Sequence, residues 1–385
     1  MSLDLDRARS AFADSLDGTV GIEEEFAVLD AATLDMVPRF EELRDAAAAD
    51  DVLAGSVAGE LISSEIEIRS GAGRDVHDAI ARQRGVRARL FALAAERGIA
   101  LGATGTHPWA DYREQRNIDT EHYRRVVDDL QYVARRNNTF ALHVHVGVRG
   151  ADRAVRVCDR LRPVLPTLLA LGANSPFLEG RDSGLHSVRT QTFTKSFPRC
   201  GVPDAYGGWA SYREYLELLV ATGSIVEDTQ VWWSVRPHLA FGTVEVRICD
   251  VQATAGESEE LAALTVACVL QAARDEADGV PFEDPARRLV EENVWRAIRY
   301  GMDGRLIDWE RRAEEPAAAS VERLLRWTAP VRAEQRIDPA FPERNGAQRQ
   351  RDALAREGSL REVFAAVVEE TRRTYVPTLE EVPTP

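Results

Sequence analysis

Four short segments carry pairs of charged or imidazole side chains at i and i+2, the spacing that puts both on one face of a β-strand. They are Gly21-Ile22-Glu23-Glu24-Glu25-Phe26, Ser64-Glu65-Ile66-Glu67-Ile68-Arg69, Leu142-His143-Val144-His145-Val146 and Val244-Glu245-Val246-Arg247-Ile248. The other face of each reads as Ile, Val, Phe or Leu, suited to a core. One such pair is ordinarily a solvated strand face. Four in one sheet would gather carboxylates, imidazoles and arginines on a single surface, a site for metal ions and an anionic ligand.

Alternating, β-branched segments at 19–29, 59–69, 99–104, 139–148, 230–239 and 243–250 predict six strands. Helical patterns cover 75–97, 119–136, 152–171, 209–221 and 257–275, and beyond 280 the pattern is all helical, with Pro316 and Asn345-Gly346 as punctuation. Strands spread among helices in this way predict an α+β fold, a sheet packed under helices. Residues 1–385 read as one domain with 280–385 a helical flank. The stretch 172–208 reads as irregular, and loops of that length are usually functional or disordered. It holds Arg181, Arg189, Lys195, which is the only lysine, and Arg199.

If Phe241-Gly242 is a two-residue turn, His238 faces Glu245 and Arg236 faces Arg247 across the last hairpin. Two arginines opposed in this way repel, and an anion such as a phosphate between their planar forks relieves the repulsion. Arg236 therefore joins the expected anion-binding residues.

The formal charge of −15 disfavours nucleic acid and anionic membrane surfaces. Residues 1–10 lack the basic-then-apolar order of a signal peptide, and the longest quiet stretch, 261–273, is too short for a membrane span. Cys158, Cys200, Cys249 and Cys268 are scattered without a C-x-x-C pair, so a cytoplasmic location is expected.

Many carboxylates with few nitrogens and no thiolates suit Mg²⁺ or Mn²⁺ bridging to phosphates. The rival is a zinc hydrolase on His143-x-His145, which the surplus of carboxylates argues against. The sequence has neither a Walker loop nor a G-x-G-x-x-G after a strand, so a nucleotide would rest on the sheet face and arginines. Thr106-His107-Pro108-Trp109 reads as a packed turn or a ligand loop, Trp232 and Trp233 as core or interface, and His122 and His186 as uninformative alone.

Taken together these residues resemble the glutamate–cysteine ligase type 2 family, carboxylate–amine ligases related to glutamine synthetase. The likeness adds Glu60-Leu61-Ile62-Ser63, Gly105-Thr106-His107-Pro108, Ala173-Asn174-Ser175-Pro176-Phe177 leading to Gly180-Arg181-Asp182, Arg189-Thr190, and 344–351. It implies a six-stranded antiparallel, funnel-shaped sheet, open to ATP at one end and amino acids at the other. It implies that Glu23, Glu25, Glu60, Glu67, His143 and Glu245 hold magnesium and that Arg247 contacts phosphate. Arg181, Arg189 and Lys195 follow as ATP-binding from their place in the loop. The implied catalytic set is Arg247, Glu245 and His145, with His145 or Glu65 as base. The implied chemistry is ATP-driven amide formation through an acyl phosphate, with glutamate and cysteine as default small-molecule substrates, in a homodimer. A guanidino kinase-like enzyme and a nucleotide-binding protein without turnover are the alternatives.

Overall fold

The computed structural model describes residues 4–376. Its largest sheet has seven strands: β1 (Val20–Asp30), β2 (Val57–Ala58), β3 (Glu65–Arg69), β4 (Ile99–Gly102), β5 (Ala141–Gly147), β6 (Val235–His238) and β7 (Thr243–Asp250). The order is β6-β7-β5-β1-β3-β2, β4 pairs with the end of β1, and every pairing is antiparallel. The α+β class and the six expected strands are present. The expected strand 59–69 begins only at Glu65, and the two residues of β2 fold back on Glu67 and Ile68 as a seventh.

The helices depart from the pattern where the backbone forces them to. The expected helix 152–171 is two, Ala151–Leu161 and Leu165–Gly172, joined by a 3-10 turn at Arg162–Val164. Pro163 and Pro166 lack the N–H groups that an uninterrupted helix needs. The expected helix 119–136 breaks at Gln131, whose φ of 51° no helix accommodates. The stretch 172–208 is not wholly irregular: the helix Val188–Ser196 forms within it, capped by the Ser187 side chain, which accepts from the Thr190 N–H. Beyond 280, Arg305–Asp308 pairs with Ala313–Pro316 as a hairpin. Residues 1–3 and 377–385 of the expected 1–385 unit lie outside the described residues.

One sheet face is apolar. Ile22, Val144, Val146, Val244 and Val246 are buried in one cluster with Val155, Cys158, Leu261, Leu264 and Cys268 from the helices Ala151–Leu161 and Ala255–Ala277. Farther along β1, Phe26, Ile66 and Ile68 pack with Leu90, Phe91, Phe364 and Tyr375.

Glu24 breaks this apolar face, contrary to expectation. It is fully buried beneath the sheet and receives Arg87 Nε at 2.5 Å and Nη2 at 3.0 Å, Gln83 Nε2 at 2.8 Å and Ser258 Oγ at 2.5 Å. Arg87, 1% exposed, also donates to Glu259, and Tyr375 Oη reaches Glu24 at 3.3 Å. This network ties β1 to the helices Val76–Ala95, Ala255–Ala277 and Leu360–Tyr375 between the two carboxylates that face the other way. Removing one partner of a buried, hydrogen-bonded ion pair leaves the other uncompensated. Arg87→Ala should therefore lower the unfolding free energy by about 3–5 kcal/mol. A urea titration checks this, and a loss below about 1 kcal/mol would contradict it.

Candidate functional site

The register of the sheet assembles its polar face. Across β3, β1 and β5 run Arg69, Glu23 and His143 in one row, and Glu67 pairs with Glu25 in the next. His145 faces Glu245 on β7. Between Val246 and Cys249 the register of β7 against β5 slips, a bulge that inserts a residue at Arg247 and Ile248. Arg189, on the helix Val188–Ser196, spans this bulge: Nη1 donates to the Ile248 carbonyl and Nη2 to that of Arg247, each at 3.2 Å. Asp250 anchors that helix and the segment before it, accepting from Asn174 N–H, Ser175 Oγ and Ser187 Oγ at 2.7–2.8 Å.

The hairpin expectation is corrected. Four residues, Leu239 to Gly242, connect β6 to β7, with Gly242 at φ 64°, so Arg236 faces Glu245 and His238 faces Thr243. The two arginines do not oppose each other. Arg236 Nε donates to Glu245 Oε2 at 2.6 Å while Arg247 holds Oε1, so both grip the same carboxylate. Arg236 Nη1 is also committed, to the Val231 carbonyl at 2.6 Å. The side chain expected to bind an anion thus orients Glu245.

Among the described residues, two groupings of side chains are close enough to hold an ion: Glu23, His143 and Glu245, and Glu25, Glu67 and His143, all buried and sharing the histidine. Burial, then the Glu60 carboxylate, pushes Glu25 up to about 8. Burial first, then neighbouring carboxylates, also raises Glu60, Glu65 and Glu67. Burial acts the same way on Glu23 and Glu245, but there it is outweighed, by His145 and His143 for Glu23 and by Arg236 and Arg247 for Glu245, and both are held well below the usual range. Burial, then the Arg247 charge, pulls His143 down to about 3, leaving a neutral ring suited to ligation. His145 goes up instead, because Glu23 and Glu245 overcome its burial. Its ring lies between these two carboxylates, with Nε2 at 3.5 Å from Glu23 and 3.8 Å from Glu245.

Two cavities open on this face. One is lined by Glu25, Glu60, Glu65, His143, Arg189 and Arg247, with Tyr123, Phe193, Phe197 and Trp232 among its walls. The other, of about 270 Å³, is lined by Thr19 to Glu23, Arg69, Gly71, Ala72, His145, Phe241 and Thr243. The structure thus brings together Glu23, Glu25, Glu60, Glu67, His143, His145, Glu245, Arg247 and Arg189. Arg181 and Lys195 are exposed and line neither cavity. Trp232, expected in core or interface, lines the first cavity, as does His122. Tyr123 and Phe193 reach it from helices, and Phe197 from just past the end of the second, in segments whose sequences carry no comparable alternation. Thr106-His107-Pro108-Trp109 is a packed turn: His107 Nε2 bonds the Leu34 carbonyl at 2.8 Å and its ring meets Phe364. The 344–351 motif is scaffold, with Gln350 Nε2 donating to Asn174 Oδ1 at 2.7 Å.

The sequence model described as glutamate-cysteine ligase family 2 matches residues 19–370. Two relatives, each carrying the printed name "Putative glutamate--cysteine ligase 2", come from Solibacter usitatus and Sorangium cellulosum. The first is 37% identical over 366 residues, covering 92% of this chain and 93% of the relative. The second is 38% identical over 365, covering 92% and 97%. Among solved structures, the glutamate–cysteine ligase of Francisella tularensis in complex with AMP superposes with a TM-score of 0.66 at 12% identity, over 94% of this chain and 90% of that one. A bifunctional glutathione synthetase from Pasteurella multocida gives 0.63 at 12% identity, over 96% of this chain and 53% of that one, so the chain spans about half its length. At such identity these two structures share the fold.

Carboxylate oxygens with one neutral imidazole are the donors a hard divalent cation takes, and the mutual repulsion raising Glu25, Glu65 and Glu67 is what such a cation relieves. Carboxyls whose folded pKa lies above the unfolded value destabilise the fold as they ionise. Metal-free protein should therefore lose thermal stability as pH rises from about 4.5, the ordinary glutamate value, towards the Glu25 value of about 8. Added Mg²⁺ should raise the midpoint more at pH 8 than at pH 5. Calorimetric scans with and without chelator check this; a metal effect equal at both pH values would contradict it.

Proposed function

The chain belongs to glutamate–cysteine ligase family 2 and is a carboxylate–amine ligase, and from that premise we propose that it forms a γ-glutamyl amide from L-glutamate and L-cysteine by way of ATP. The observation that carries the reading is the pair of cation groupings sharing His143, set between two cavities, with Arg247 beside them. Residues 4–376 act in this reading as one catalytic unit. A reducing, cytoplasmic setting fits the four free, buried cysteines.

Glu23, His143 and Glu245 would hold one divalent cation, and Glu25 and Glu67 a second beside Glu60. When bound, such ions neutralise the triphosphate and polarise the transferring phosphoryl group. The chain's own groups do the positioning. Glu245, itself gripped by Arg236, holds Arg247 by its Nη1, and the buried Nε of Arg247, which has no partner among the described residues, is free to meet a γ-phosphoryl oxygen. The glutamate side-chain carboxylate attacks the γ-phosphorus, and the bond to the β,γ-bridging oxygen breaks to release ADP. The amine then attacks the acyl carbon, the C–O bond to phosphate breaks, and the amide leaves with a proton and inorganic phosphate. Glu25→Gln keeps the shape and removes a charge that the second cation needs. Turnover should fall at least about a hundredfold, as when a charge-stabilising group is lost.

The 270 Å³ cavity suits the nucleotide. Its walls are small and apolar at Val20, Gly21, Ile22, Gly71 and Ala72, and it ends at Glu23 and His145, where the triphosphate would meet the first cation grouping. The Phe241 ring, 55% exposed and stacked on His238 with centroids 4.3 Å apart, offers a platform for the base. Phe241→Ala should weaken ADP binding about two- to tenfold, the loss of one aromatic stack, without unfolding the protein. Isothermal titration reads it, and unchanged affinity would move the base elsewhere.

The reading as a whole is tested by ADP release from Mg-ATP across a matrix of amino acids and amines, with mass spectrometry of the products. Release that needs both glutamate and cysteine, with a product of their summed mass less water, is the expected result. ADP formed with no amide product would overturn it.

A further inference from the structure

Three buried polar atoms on the first cavity have no partner among the described residues: Glu65 Oε2, Arg189 Nε and Arg247 Nε. A buried polar group left unpaired costs free energy, so such atoms in a cavity mark where a ligand completes the bonding. Arg247 is assigned to phosphate above. Both terminal nitrogens of Arg189 already donate to carbonyls of the β7 bulge, while its Nε has no partner among the described residues.

Glu65 is the one unpartnered acceptor among the three. It is 1% exposed on β3, facing Ala27 of β1, and belongs to neither of the groupings able to hold an ion. Its free oxygen therefore calls for a donor from the ligand. Resting on the ligase reading, we infer that Glu65 is the receptor for the ammonium group of the amine substrate and that Arg189 Nε takes its carboxylate. The occupant is a zwitterionic α-amino acid.

Size and lining restrict its side chain. The cavity, of about 80 Å³, suits a small occupant, and its walls include Tyr123, Phe193, Phe197 and Trp232. Phe197 and Trp232 meet edge to face at 5.6 Å, and Phe193 lies 4.6 Å from Phe197. Compact apolar or sulfur-bearing side chains suit such walls. A bulky or charged side chain does not, and an amine without a carboxylate leaves Arg189 Nε unpaired.

The experiment compares two acceptors with the full-length enzyme, Mg-ATP and glutamate. Hydroxylamine is small and neutral at pH 8, needs no ammonium receptor, and traps an acyl phosphate as a hydroxamate. The α-amino acid series runs from alanine and cysteine to phenylalanine and aspartate, with ethylamine as the control lacking a carboxylate. Glu65→Gln should raise the ratio of the KM for cysteine to the KM for hydroxylamine at least tenfold, Glu65→Asp should restore part of it, and alanine and cysteine should outrun ethylamine, phenylalanine and aspartate in kcat/KM.

A half-saturating Mg²⁺ concentration that rises in Glu65→Gln, with both KM values moving in step, would make Glu65 a metal ligand and overturn the inference. Equal use of ethylamine and alanine would overturn it as well. Failure of the wild type to form any hydroxamate would bring down the ligase reading with it, whereas hydroxamate formed alongside an unchanged KM ratio would bring down the Glu65 assignment alone.

Discussion

Like charges gathered out of water are the constraint on which this protein is built. Glu23, Glu25, Glu65, Glu67 and Glu245 are all buried on one face of one sheet, with Glu60 half-buried beside them. No apolar packing compensates that repulsion; it is relieved by protonation, by cationic side chains or by bound cations. The structure divides the work. Arg236, Arg247 and the two histidines satisfy Glu23 and Glu245, while Glu25, Glu65 and Glu67 are left raised. The unsatisfied half is where added positive charge has most to offer.

Holding such a surface in place requires the other side of the sheet to be rigid. Glu24 does this between the two carboxylates it separates, locked by Arg87, Gln83, Ser258 and Tyr375 into three helices. On β7 the bulge turns the backbone at Arg247, and Arg189 closes the carbonyls that the bulge exposes. Asp250 fixes the segment carrying Arg189. Glu24 and Asp250, which touch neither cavity, thus help determine where the side chains lining them sit.

Period-two alternation made most of the polar face readable, because facing side chains in a strand need no tertiary information. Glu23, Glu25, Glu67, His143, Glu245 and Arg247 were legible for that reason, and the antiparallel sheet with them. Register was not: a four-residue turn in place of two moved Arg236 from Arg247 to Glu245, and alternation is silent on loop length. Glu24 was hidden within the run Glu23-Glu24-Glu25, where its partners lie about 60 and 230 residues away. The aromatic wall was illegible because Tyr123, Phe193 and Trp232 converge only through the packing of separate segments. Arg181 and Lys195 show the opposite error, since cationic character in a long loop does not say which way a side chain faces.

The most direct test of the account is a count of divalent cations. Free Mn²⁺ measured by electron paramagnetic resonance during titration of the metal-free protein at pH 8 gives the number bound per chain. The account predicts at least two sites, with one lost in Glu25→Gln and the other weakened in Glu245→Gln. Binding no greater than that of a surface-charge control, or equal stoichiometry in wild type and both variants, would contradict it.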